Sequence, residues 1–361
     1  MHNPAPAPSL LRSARSLAGR AGLDGFLLAL IGMIGLAYVW PEPGVRQGPF
    51  ALDRIANVGV SVIFFAYGLR LSTDKLRAGL SNWRLHLVVH GATFLLFPLL
   101  VLGARALFLT PDTALLWLGA FYVAALPSTV SSSVVMVSIA GGNIPAAIFN
   151  ASISSLIGIF LTPLWMSLLL SRTSGEYELG PIIGKLVVQV LVPVVLGLLL
   201  NRRYGALAER HKAALRTFDQ AVILLIVYTS FAESFTQNQF AGISGLSLLT
   251  LGGLMLALFA LVYGLLDALS RGLHFSRADR ITALFCGSKK SLVQGSVMAN
   301  VLFSGTEGVG VILLPIMLYH ALQLIAASVL AQRMARNGGS RSGVTRNGGS
   351  RNGDARQPGA V

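Results

Sequence analysis

Phe285-Cys286-Gly287-Ser288-Lys289-Lys290-Ser291-Leu292-Val293-Gln294-Gly295 sets two adjacent lysines inside a run that is otherwise apolar enough to cross a membrane. An ammonium at the bilayer centre costs about 2.5 to 3.5 kcal/mol even on lenient insertion scales, so such a residue normally faces protein, a water-filled cavity or a ligand path. The chain draws its positive charge almost wholly from Arg, yet two of its five Lys stand here. A buried Lys, unlike Arg, can release its proton, so the pair points to chemistry or transport. The contrary reading, in which both snorkel to headgroups, stays open because the patch is nearer the start of its run than the middle.

A second polar interruption, Leu126-Pro127-Ser128-Thr129-Val130-Ser131-Ser132-Ser133, divides another apolar run. Pro127 removes a backbone donor and leaves carbonyls free. Ser128, Thr129, Ser131, Ser132 and Ser133 then offer hydroxyls on more than one face, more than the close packing of small residues in membrane helices requires.

Around these two stretches the chain is that of a polytopic membrane protein. Its 361 residues are 54% hydrophobic and 12% charged, with a mean hydropathy of +0.69, outside the range of soluble domains. The net charge of +14 would suit nucleic acid in a soluble chain. Here the basic residues fall in short connections and at the ends, which excludes that reading. The single Cys286 excludes an internal disulfide and a cysteine metal framework.

With about 17 to 25 residues per crossing, ten spans are expected: 23–40, 55–70, 84–107, 114–140, 144–170, 181–200, 216–232, 245–270, 278–303 and 308–331. Arg12, Arg15 and Arg20 precede the first in signal-peptide fashion, but no convincing cleavage site follows, so it is read as an uncleaved span. Lys and Arg cluster at Arg70–Arg84, Arg202–Arg216 and Arg271–Arg280, and are absent near Glu233 and Glu307. The positive-inside rule then places both termini in the cytoplasm, which requires an even number of spans. The expected division is a cytoplasmic N-terminal segment 1–22, a membrane domain 23–331, and a basic, disordered cytoplasmic tail 332–361 built on Arg-Asn-Gly-Gly-Ser-Arg.

The interrupted spans are the fourth and ninth, five apart. Paired broken helices in two halves signal an inverted five-plus-five repeat with a midplane site, so the expected breaks are Pro127 and Gly287. Candidate site residues are Ser128, Thr129, Ser131, Ser132, Ser133, Ser288, Lys289, Lys290 and Ser291, joined by Asn150 and His90. Asn150 is equally readable as a cation ligand or as interhelical glue, and His90 as a pH-sensitive member or a satisfied helix contact. Successive residues point about 100° apart on a helix, so at most one lysine faces a shared site. Glu233 and Asp267 read as interfacial, and Cys286 as a packed small residue. A Ser-Lys hydrolase built on Ser288 or Ser291 lacks any oxyanion-hole motif.

The run from Leu126 to Val135, then Gly142-Asn143, Ala147-Ile148-Phe149-Asn150, Phe64–Leu69 and Cys286–Leu292, resembles the bile acid:sodium symporter superfamily, and within it the sodium/bile acid cotransporter 7-like branch. The resemblance implies a core of spans three to five and eight to ten beside a panel of spans one, two, six and seven. Spans four and nine would cross at their breaks, with substrate entering between core and panel. It also implies sodium ligands that this sequence carries only in part: a Ser-Asn pair falls on Ser133 and Val134, and a Glu and Gln in span nine fall on Ser288 and Leu292. His90 matches a third-span Gln. Sodium at Ser133, Asn150 and Ser288 is one expectation; a lysine replacing the ion, a proton as coupling ion, or a lysine binding the substrate's anionic group are others.

The function expected is secondary active transport of a small organic anion by alternating access, with no enzymatic activity and no cofactor beyond sodium or a proton as coupling ion. The lipid bilayer is the expected partner, nucleic acid is not, and the plasma membrane, the inner membrane of a bacterium, is the expected location. A non-transporting regulator or scaffold of the same fold is the alternative.

Overall fold

The computed structural model describes residues 25–48, 51–70, 82–110, 113–173, 184, 187–241, 243–304 and 307–344, and among them there is no strand. The principal helices are α1 (Gly25–Val39), α2 (Leu52–Leu69), α3 (Trp83–Gly103), α4 (Ala114–Ala125), α5 (Ser131–Ala140), α6 (Ile144–Thr173), α7 (Val187–Arg210), α8 (Lys212–Thr236), α9 (Gly245–Gly272), α10 (Arg277–Gly287), α11 (Leu292–Leu302) and α12 (Val309–Val344). Seven of these, α2, α3, α6, α7, α8, α9 and α12, are long and apolar enough to cross a membrane. The expected count of ten includes, besides these, the 23–40 run and the two interrupted runs, whose helical pieces are each short.

The sequence forms these helices by apolar periodicity. In α2 the buried residues Ala56, Gly59, Val60, Ile63 and Phe64 follow the i, i+3, i+4, i+7, i+8 spacing of one helix face. On its other side Ile55, Val58 and Val62 are exposed, as a lipid-facing surface requires. Gly68 of α2 and Gly197 of α7 lie back to back, each so close to the other helix's backbone that no Cβ would fit. α8 packs on α1 and α2, with Val222 seated against Gly59.

A second group surrounds the interruptions. α4 packs on α12, α5 on α6, α10 and α12, and α9 on α10 and α12. Gly141, left-handed at φ +76°, ends α5 as glycine at a helix C-terminus does. Asn143 then ties this turn to α10: its Nδ2 donates to Asp279 Oδ1 (2.8 Å) and its backbone N–H to Thr282 Oγ1 (3.0 Å).

Three particulars depart from the sequence reading. α10 continues through Gly287, and the non-helical stretch is Ser288–Ser291. Gly287 is instead a close-packing residue, where a Cβ would lie 2.9 Å from Leu266 of α9. α12 runs past residue 331 to Val344; its Gln332–Arg336 turn is made of good helix formers, and Arg277 donates to the Met334 carbonyl at 2.8 Å. Residues 345–361 of the expected tail, the segment 1–22, and Lys75 and Arg77 of the orientation argument lie outside the described residues.

Candidate functional site

A broken helix leaves carbonyls that need donors, and following each to its partner builds the site. At the end of α4, the Ala125 carbonyl accepts from Thr162 Oγ1 (2.8 Å), and the Pro127 carbonyl from the backbone N–H of Ser291 (2.9 Å), so the two interruptions touch. The Ser128 N–H donates to Ser154 Oγ at 2.9 Å. Pro127 itself packs against Gly158 of α6, where a Cβ would sit 2.6 Å from the proline ring.

The Ala124 and Leu126 carbonyls accept from Lys290 Nζ, at 2.7 and 2.8 Å. Its third proton goes to the Thr93 carbonyl in α3 at 2.7 Å. Thr93 O is free for a local reason. Ala92–Leu96 forms a π-helical turn in which the Phe97 N–H reaches the Ala92 carbonyl. In that register the Thr93 carbonyl would look to residue 98, a proline without an N–H. The Phe94 carbonyl, whose partner in an α-helical register would be the same proline, accepts from Trp165 Nε1 at 2.8 Å.

Lys290 is therefore fully buried, its three protons matched by three carbonyls and its charge 4.1 Å from the centre of the Phe97 ring. Hydrogen bonds to a charged group contribute about 1.5–3 kcal/mol each, which offsets a desolvation cost of several kcal/mol. Gln323 of α12 fixes the backbone at this residue, accepting from the Lys290 N–H (2.8 Å) and donating to its carbonyl (2.7 Å). Tyr319, one turn earlier, donates to the Ser288 carbonyl at 2.7 Å.

Lys289 is equally buried and points elsewhere. Its Nζ donates to Ser132 Oγ at 2.7 Å, and Ser132 donates to Thr129 Oγ1 (2.9 Å), which shares a 2.8 Å bond with Ser133 Oγ. Ser288 Oγ turns back to the Leu284 carbonyl, while Ser291 Oγ caps α11 by accepting from the Gln294 N–H. Neither lysine hydrogen-bonds to the side chain of Ser288 or Ser291. Ser128 Oγ is buried without a partner. Ser131 lies at the start of α5, its side chain outside what is described.

Asn150 and His90 fall differently from the sequence reading. Asn150 Oδ1 meets His86 Nδ1 at 3.0 Å and its Nδ2 donates to the Ala146 carbonyl. His90, one turn on, has both ring nitrogens buried without a hydrogen bond and stacks on Phe94. His86 and His90 share a face of α3 one turn apart, and α6 meets that face at the level of His86, whose ring also lies 4.3 Å from that of Phe149. The three sodium candidates are each engaged separately: Ser133 with Thr129, Asn150 with His86, Ser288 with its own helix. Asp267 pairs with Arg280 and Arg271 at 2.5 and 2.7 Å, and Glu233 is exposed beside Gln237.

The interruptions border a cavity of about 970 Å³ whose lining includes Thr129, Ser132, Ser291 and Gln294, with Tyr67, Arg70, Arg216 and Asp219 also on its wall. Gln294 is buried, donates to the Ser155 carbonyl, and keeps its Oε1 without a partner. Thr93, Thr162, Gln323 and Gln294 were missed by the sequence reading. Pro98, five residues after Thr93, is the one local signal that a carbonyl there is free.

A sequence profile of the SBF-like CPA transporter family matches residues 24–336. An uncharacterized protein of Pseudomonas aeruginosa is 44% identical over 87% of this chain and 93% of its own length. YfeH of Escherichia coli, provisionally named a symporter, is 39% identical over 87% and 93%. Sodium/bile acid cotransporter 7 of Danio rerio is 34% identical over 87% and 94%. With its apolar helices and its two touching interruptions, the chain belongs to the SBF-like CPA transporter family, a family of integral membrane transporters rather than enzymes.

Proposed function

We propose that the protein is a secondary active transporter of a small organic anion, working by alternating access at the two interruptions, in which Lys290 stands where a coupling sodium would otherwise sit. The observation that carries this reading is the cradle of Thr93, Ala124 and Leu126 carbonyls around Lys290 Nζ. Converging backbone carbonyls form a site for a hard monovalent cation, and here a tethered ammonium fills it. The separate engagements of Ser133, Asn150 and Ser288 support the same view, since each of the three is bound to a different partner.

In this reading the α4/α5 and α10/α11 runs are two further crossings, which with the 23–40 run and the seven long helices make ten in a five-plus-five inverted repeat. The cavity divides a panel (spans one, two, six and seven) from a core (three to five and eight to ten). The membrane domain spans 23–331 in a bacterial inner membrane, with both termini cytoplasmic.

The test is uptake of organic anions into proteoliposomes under separate sodium and proton gradients. Wild-type uptake is expected to be indifferent to sodium, and Lys290→Ala to gain sodium-dependent thermal stabilisation that the wild type lacks. Wild-type uptake that requires sodium would overturn the replacement, and absence of uptake of any anion under either gradient would overturn the transport reading.

A further inference from the structure

We infer that the anionic group of the cargo is received by Arg70 and Arg216 on the cavity wall, with Asp219 setting the selection for a monoanion. This rests on the organic-anion reading above. The two conspicuous cations of the sequence are already committed. All three Lys290 protons are bound to carbonyls, Lys289 is held behind Ser132, and neither lysine lines the cavity. The anion must find its positive charge elsewhere on the wall.

Among the described residues, three cations and two carboxylates line the cavity, an excess of one positive charge. Lys212 and Glu209 bind each other at 3.2 Å, which leaves Arg70, Arg216 and Asp219. Arg216 and Asp219 are three residues apart on α8 and share a face; Arg70 caps the C-terminus of α2. Neither arginine forms an ion pair among the described residues. Arg70 Nε is buried without a partner, and so is Oδ1 of Asp219, a residue only 7% exposed. Two guanidinium groups that form no ion pair among the described residues suit the oxygens of a carboxylate or sulfonate. Asp219 cancels one of the two charges, so a monoanion balances the site and a dianion does not. Phe149, Ile159, Leu292 and Leu324 on the same cavity suit an apolar body, so the cargo class is an amphipathic monoanion.

The test measures binding of decanoate, decanesulfonate, decanedioate and decanol to the full chain in phosphatidylcholine liposomes, which removes anionic lipid as a competing source of the same head group. Wild type should prefer the two monoanions. Arg70→Gln and Arg216→Gln should each raise the Kd of both monoanions by about tenfold, equivalent to about 1.4 kcal/mol, with decanol unchanged and Arg70→Lys restoring part of the loss. Asp219→Asn should shift selection towards decanedioate by about tenfold, through the loss of one negative charge. Arginine variants with wild-type affinity, or an Asp219→Asn protein with unchanged selection, would overturn this inference alone. A wild type that binds the monoanions no better than decanol would overturn the organic-anion reading along with it.

Discussion

The two interruptions are chemically unlike although each breaks a helix at a polar patch. Leu126–Val130 contributes acceptors, because Pro127 and the absence of continued helix expose the carbonyls of Ala124 to Pro127. Ser288–Ser291 contributes the cation, because Lys290 enters those carbonyls as a donor. A single break of either kind would be costly inside a membrane, where unsatisfied backbone groups have no water. Together they complete each other, and the π-helical turn of α3 supplies the third acceptor. The polar patches are thus one structure divided between two distant segments.

The strongest way to break this complementarity is Lys290→Met, which keeps the stem and removes the donors. Three carbonyls at about 1–3 kcal/mol each make a loss of about 4 kcal/mol the expected outcome, read as unfolding in detergent, together with loss of uptake. Gly158→Ala attacks the other interruption by driving a methyl into the Pro127 ring, with an expected loss of about 2–3 kcal/mol from overpacking. Pro98→Ala restores an N–H that competes for the carbonyls serving Lys290 and Trp165, and should destabilise the protein by about 1–2 kcal/mol despite the higher helix propensity of alanine. Lys289→Met should change stability by about 1 kcal/mol or less, since it strands only the Ser132 hydroxyl while removing a desolvated charge. Equal losses for the two lysine variants would contradict the asymmetry between them. Tyr319→Phe, which frees only the Ser288 carbonyl, should cost about 1 kcal/mol.

Much of this was legible in the chain. The apolar runs, their Arg-marked connections and the polar patches at Leu126–Ser133 and Ser288–Ser291 follow from composition and local order. The burial of Lys289 and Lys290 removes the headgroup-snorkelling reading, which sequence position had left open. That His86 rather than His90 meets Asn150 was beyond periodicity: both lie on α3 one turn apart, and only the approach of α6 selects His86. Gly287 reads as a break because it sits in a polar interruption, yet its small volume serves the contact with Leu266.

From its own order the chain required that charge be buried in a membrane-spanning region and that two helices end within it, because apolar length and helix-breaking residues are local properties. Which lysine became the bound cation was settled by packing alone. Lys290 finds acceptors 164 to 197 residues away, while its neighbour finds one hydroxyl, and no local rule separates the two. The physical reason is that a buried ammonium is stable only where acceptors converge, and convergence is a property of packed helices rather than of any one of them.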